Sequence, residues 1–273
     1  VLTLGCLQCS FCEEDYVISF YLAEFVNALT NIAYGMSPFS PPSINQIDHT
    51  NPHSHTPPVY LALRAMYPPN TTRSLLRPKY DFMSLSLLTL GIGSFLFHAT
   101  LRQTLEFVDE FSMLGLTWSM LQASLTARQT PQRARLITVG LAVAYLSFSA
   151  FYIWSAKIIY QVFAFTGALF GVLFRGQYMF HLARPAFPEA KRRDWNWRIW
   201  KALGICVFGY VLWTIDLEYC AELRAVRQRV GLPWAWLFEF HGWWHILTAV
   251  GASQSMQVAR EIREEEERRK KRE

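Results

Sequence analysis

Cysteine is scarce in this chain, with five in 273 residues, at positions 6, 9, 12, 206 and 220. Five is too few for a disulfide scaffold. Cys6, Cys9 and Cys12 repeat the Cys-x2-Cys spacing, but no second pair lies near enough to complete a zinc knuckle. Charge is also thin, at 17% of residues, and it is bunched between long uncharged runs. No positively charged segment precedes the first apolar run, so no cleavable signal peptide is expected. Neither a 20–50-residue repeat nor a linker to a second domain is apparent, which argues against a solenoid. The net charge of +5 is absorbed by loop asymmetry, so nucleic-acid binding is not expected.

What the sequence does have is apolar length. Hydrophobic residues make up 52% and aromatic residues 15%. The mean hydropathy of only +0.12 is diluted by the polar loop at 37–79 and the tail Arg260–Glu273. Seven runs of bilayer-spanning length follow: about Val17–Met36, Asp81–Ala99, Val108–Leu125, Leu136–Trp154, Ile158–Phe180, Ile199–Leu217 and Trp234–Val258. The expected fold is an all-α membrane protein, a seven-helix transmembrane bundle over residues 1–258. The loop at 37–79 contains a Pro-rich insert at 37–58, and 259–273 is a charged tail, read as a solvated helical extension. His49, His53 and His55 sit in that Pro-rich tract as solvated bystanders. Most of the 26 Lys and Arg fall in the loops after runs one, three and five and in the tail. By the positive-inside rule the tail is cytosolic and the N-terminus lumenal or extracellular.

The stretch Phe238–Ser253 carries the chemistry. His241 and His245 lie four apart, so on a helix both imidazoles share one face. His98 closes another apolar run, and the assigned topology puts all three histidines at one depth. Three imidazoles with an open fourth position form the pattern of a catalytic zinc site, in which the metal acidifies a water and polarises a carbonyl. Ser94, one turn before His98, is placed to hydrogen-bond a developing oxyanion. Asp109 would be about 16 Å away along a continuous helix, but the polar Arg102-Gln103-Thr104 turn folds it back. There it either accepts a proton from the water or orients a histidine. Glu24, Asn27 and Asn31 share a face of run one that should point inward. Cys12-Glu13-Glu14-Asp15 with Glu24 offers oxygen ligands that suit calcium, or simply a solvated helix start.

Several motifs together resemble the alkaline ceramidases, members of a seven-helix intramembrane hydrolase superfamily that includes the adiponectin receptors. They are Cys12-Glu-Glu-Asp-Tyr-Val, Ala23-Glu-Phe-Val-Asn-Ala-Leu-Thr-Asn31, Gly91-Ile-Gly-Ser-Phe-Leu-Phe-His-Ala-Thr-Leu101, Asp109-Glu-Phe-Ser-Met113, Trp213-Thr-Ile-Asp-Leu-Glu-Tyr-Cys220 and His241-Gly-Trp-Trp-His245. The resemblance implies hydrolysis of the amide of ceramide or phytoceramide in the endoplasmic reticulum or Golgi, giving a sphingoid base and a fatty acid. It implies zinc on His98, His241 and His245, with Ser94 and Asp109 catalytic. It implies calcium on Ser10, Phe11 (through its carbonyl), Glu13, Asp15 and Glu24, and a Cys12–Cys220 disulfide. Ser10, Phe11, Asp15 and Leu217 depart from the family's usual Asp, Trp, Asn and Asn. The alternatives are a related hydrolase acting on another lipid ester or amide, and a receptor-like membrane protein without turnover.

Overall fold

The computed structural model describes residues 12–36 and 82–272. Ser10, Phe11, Cys6, Cys9 and the loop at 37–79 lie outside the described residues. Every regular element among the described residues is helical. In chain order these are α1 (Phe25–Thr30), α2 (Ile32–Met36), α3 (Phe82–Thr100), α4 (Gln103–Thr126), α5 (Pro131–Ser155), α6 (Ile158–His181), α7 (Glu189–Glu218), α8 (Cys220–Val230) and α9 (Phe240–Lys270). A 3-10 turn, Trp234–Phe238, leads into α9.

Four of these helices, α3, α5, α6 and α7, are long and apolar enough to cross a membrane. The chain is a membrane protein. Helix α4 is as long, but Glu106, Asp109 and Glu110 interrupt its apolar run. Helix α9 carries its histidines at one end and a charged segment at the other. Asp109 is among the residues that break the apolar run of α4, whereas α3 carries Ser94 and His98 and stays apolar enough to span.

The first apolar run is corrected. Helix begins only at Phe25, and Val17–Glu24 is irregular chain. The α3–α4 turn is tighter than the polar Arg102-Gln103-Thr104 triplet suggests. Leu101 takes φ 48°, and Gln103 already opens α4. The tail is corrected as well, because it is not solvated all round. Helix α9 continues unbroken to Lys270, with Val258, Ile262 and Glu266 buried at four-residue spacing. That spacing puts them on one face, where Val258 and Ile262 pack with Met179, Phe180, Phe187 and Trp195.

Two seams organise the bundle. In one, α2, α3, α4 and α9 share a core of Tyr34, Met83, Leu87, Leu90, Leu116, Ala249 and Met256. In the other, α7 lies along α9. Gly251 makes that approach possible, since a Cβ there would collide with Cys206 Sγ and the Ala202 carbonyl. Helices α5 and α6 pack on α4 and expose Leu136, Val143, Leu146, Phe163 and Phe174, as a lipid-facing surface does.

Candidate metal centre

Helix α3 ends and α9 begins at the same end of the bundle, and that shared level brings the histidines together. The ligand nitrogens of His98, His241 and His245 all lie within 4.8 Å of one another, and all three residues are buried. The ring centroids are 5.0 Å apart for His98–His241, 4.9 Å for His98–His245 and 4.6 Å for His241–His245. Three imidazoles this close, away from water, would repel if charged, so they are neutral and each has a lone pair to offer.

Their neighbours set the tautomers. Thr30 Oγ1 donates its single hydrogen to the Asn27 carbonyl at 3.0 Å and sits 3.0 Å from His245 Nδ1. It therefore accepts from Nδ1–H, which leaves the His245 Nε2 lone pair for a ligand role. His98 Nδ1 is 2.5 Å from Glu24 Oε2. With the Glu24 carboxylate accepting, the proton of this bond sits on His98 Nδ1 and Nε2 is left as the ligand atom. The donor set fits a tetrahedral metal such as zinc: nitrogen ligands, buried, with carboxylate and hydroxyl partners behind two of them. His241 packs against the Trp213 ring at 6.4 Å, and Trp213 stacks on Trp244 at 6.0 Å.

Ser94 is buried one turn before His98 and lies within interaction range of the Asp109 carboxylate across the α3–α4 interface. Gly93 permits this closeness, because a Cβ there would meet Ser112 Oγ at 3.1 Å and Val108 Cγ1 at 3.2 Å. Asp109 Oδ1 is buried and has no hydrogen-bond partner among the described residues. An acceptor left open at such depth is costly unless something else uses it.

The acidic residues do not gather in the same way. Among the described residues, the three histidines are the only group of His, Cys, Asp and Glu whose ligand atoms meet within 4.8 Å. Glu13 accepts from the backbone N–H of Val26 at 2.7 Å and of Asn27 at 2.8 Å. It thus caps α1 from twelve residues upstream, a service the Glu24 side chain does not perform. Burial pushes the Glu13 carboxyl up to about 7 despite those two donors. Asp15 is exposed, and partial burial raises its carboxyl while Arg224 pulls it down. Cys12 and Cys220 are disulfide-bonded.

Sequence reading passed over three contributors. Thr30 and Arg227 carry no role in the sequence reading, and Glu24 stands there on the inward face of run one and among the calcium ligands, not beside His98. Arg227 is buried and bonds the Cys12 carbonyl at 2.9 Å, Asp216 at 3.4 Å and the Phe238 carbonyl at 3.2 Å. It also pairs with Glu239 at 3.1 Å. Asp216 in turn accepts from Phe240 N–H, at the first turn of α9. The inward polar face of run one was the available signal for Glu24, and Thr30 lies one residue before Asn31 on it. For Arg227 there was none.

The sequence model of the ceramidase family matches residues 8–273. The chain is similar to "Alkaline ceramidase YPC1" of Saccharomyces cerevisiae, 29% identical over 264 residues that cover 88% of this chain and 72% of the yeast protein. It is also similar to "Alkaline ceramidase 3" of Mus musculus, 24% identical over 243 residues, 89% of this chain and 78% of the mouse protein. A shorter match, 28% over 110 residues, covers 40% of this chain and 32% of "Alkaline ceramidase" of Arabidopsis thaliana. A match across nearly the whole length, through both ends that build the histidine cluster, places this chain in the ceramidase family.

Proposed function

We propose that this chain hydrolyses the amide bond of ceramide or phytoceramide to a sphingoid base and a fatty acid, at a zinc ion held by His98, His241 and His245. The observation that carries this reading is the buried meeting of three imidazoles, with Glu24 and Thr30 in hydrogen-bond reach of the Nδ1 atoms of two of them. Zinc, when bound, supplies a polarised carbonyl oxygen and an acidified water.

The chain's own residues do the rest. Asp109, with its open buried Oδ1, takes a proton from the attacking water and returns it to the nitrogen as the C–N bond breaks. Ser94 donates to the carbonyl oxygen as negative charge builds there. Glu24 and Thr30 hold two ligand rings in orientation. Ceramide arrives from the bilayer. In support, the contacts between α6 and α7 among the described residues, such as Gln177–Asn196 and Phe180–Trp195, lie near the loop linking the two helices.

The same reading takes seven spans, with α1 and α2 belonging to the first, and a lumenal histidine end in the endoplasmic reticulum or Golgi with the tail in the cytosol, supported by the basic loops. It retains calcium on Ser10, Phe11, Glu13, Asp15 and Glu24. Glu13 and Glu24, already engaged with Val26, Asn27 and His98, would offer their remaining lone pairs.

Replacing His241 with Ala should abolish release of fatty acid from labelled ceramide in membranes, and unchanged release rules the scheme out. Asp109→Asn should keep zinc while slowing turnover about 10²–10⁴-fold, the span of general acid–base catalysis. A parallel loss of zinc would make Asp109 structural.

A further inference from the structure

Val17–Tyr21 is the most conspicuous surface left unexplained by the site. It is apolar enough to read as part of a span, yet it is irregular chain. Phe20 is 92% exposed, Tyr21 91% and Val17 68%. A second exposed apolar loop lies beside it, with Leu232 at 64%, Trp234 at 65% and Leu237 at 50%. The Phe25 and Trp236 rings, 6.0 Å apart, hold the start of α1, four residues after Tyr21, against the second loop. Both flank the start of α9, and Trp154 and Tyr219, exposed at the ends of α5 and α7, share that end of the bundle.

Backbone chemistry limits where such loops can sit. In hydrocarbon every N–H and C=O must be paired within the protein. The first loop is closed by Tyr16 N–H to the Ala23 carbonyl at 2.7 Å, and among the described residues Tyr21 N–H donates to Ser19 Oγ at 3.1 Å. Those of its backbone polar groups without a partner among the described residues need water or headgroups, while its rings need something apolar. The interfacial layer of a bilayer offers both, and Tyr and Trp prefer it.

We propose that Tyr16–Tyr21 and Leu232–Phe238 form a lip inserted in the headgroup–acyl boundary of the leaflet on the histidine side, its partner being the lipid surface itself. The lip is tied to the metal centre. Ala23 N–H bonds the Ala99 carbonyl and Glu24 N–H bonds the His98 carbonyl, each at 3.0 Å. The depth of the lip therefore fixes the depth of the site relative to the headgroups, where an amide-linked lipid presents its reacting carbonyl. The insertion rests on the membrane reading alone. The effect on turnover rests on the proposed lipid hydrolysis.

Nitroxide labels test it in the full chain, with Cys6, Cys9 and Cys206 changed to alanine and the disulfide kept. Labels at Phe20→Cys and Trp234→Cys in phosphatidylcholine vesicles are compared with Glu14→Cys, expected in water, and Val143→Cys, expected in hydrocarbon. The ratio of collisions with oxygen to collisions with a water-soluble nickel chelate should fall between those of the two controls at both lip positions. A water-like ratio at position 20, a ratio matching position 143, or exclusion of both reagents by a covering protein overturns the lip. In a chain active on ceramide, the Phe20→Ser/Tyr21→Ser double variant should raise KM for long-chain ceramide in vesicles about tenfold, with kcat and metal content unchanged. An unchanged KM overturns the lip's role in presenting substrate. A wild-type chain inactive on ceramide whose labels still sit between the controls would sink the substrate assignment and leave the lip standing.

Discussion

Arg227 and Lys191 each hold a glutamate, at opposite ends of the bundle, in different company. Arg227 is buried and serves Cys12, Asp216, Phe238 and Glu239 at once, so three other segments meet on one guanidinium. At the tail end the links are separate. Arg128 pairs with Glu266 at 2.7 Å while its guanidinium lies over the Phe187 ring at 4.1 Å. Trp195 and Arg198 share Glu261, and Lys191 reaches Glu265 at 2.6 Å with nearly half its side chain in solvent. A hub concentrates the consequence of losing one group, and a set of parallel clasps dilutes it. The hub lies where α9 must start in register for His241 and His245, which is where tolerance is least.

The largest expected effect breaks the hub. Arg227→Met leaves Asp216 and Glu239 as buried, uncompensated carboxylates, and removing one partner of a buried pair costs about 3–5 kcal/mol. Thermal unfolding in detergent should drop accordingly. Adding Asp216→Asn and Glu239→Gln to the same chain should recover most of the loss, since no buried charge then stands alone. Failure to recover would mean that Arg227 acts through its hydrogen bonds to the Cys12 and Phe238 carbonyls rather than through charge.

A smaller effect is expected behind the metal. Glu24→Gln keeps an acceptor for His98 Nδ1–H but removes the charge that favours it. Loss of an outer partner of this kind lowers metal affinity about 10–100-fold, read by competition with a chelator. The fold should hold, because Glu13 and not Glu24 caps α1. An unchanged affinity would reduce Glu24 to a packing residue.

How far these features could be read beforehand depended on how local they are. The pair His241/His245 and the run ending in His98 are local patterns, and topology then placed all three at one level. The links behind them join residues 74 and 215 positions apart, Glu24–His98 and Thr30–His245, and no periodicity encodes such distances. Val17–Tyr21 was misread for another reason. An interfacial loop and a lipid-facing helix have the same apolar and aromatic composition, and only the backbone distinguishes them. The tail failed in reverse, because Val258, Ile262 and Glu266 carried a four-residue spacing beneath a charge run that looked uniformly solvated.

The smallest effect sharpens the contrast from the tail side. Lys191 and Glu265 meet at the surface, 45% and 19% exposed, and the Glu265 carboxyl is held below its usual range chiefly by that hydrogen bond. Exposed pairs contribute about 0–1 kcal/mol and are screened by salt. Lys191→Ala should therefore shift the melting transition far less than Arg227→Met, and the shift should vanish in high salt. Turnover should be unchanged, because Trp195, Arg198 and Arg128 still fasten the end of α9. A loss comparable to that of Arg227→Met would show that the clasps act as one cooperative unit, and the distinction between hub and parallel links would fall.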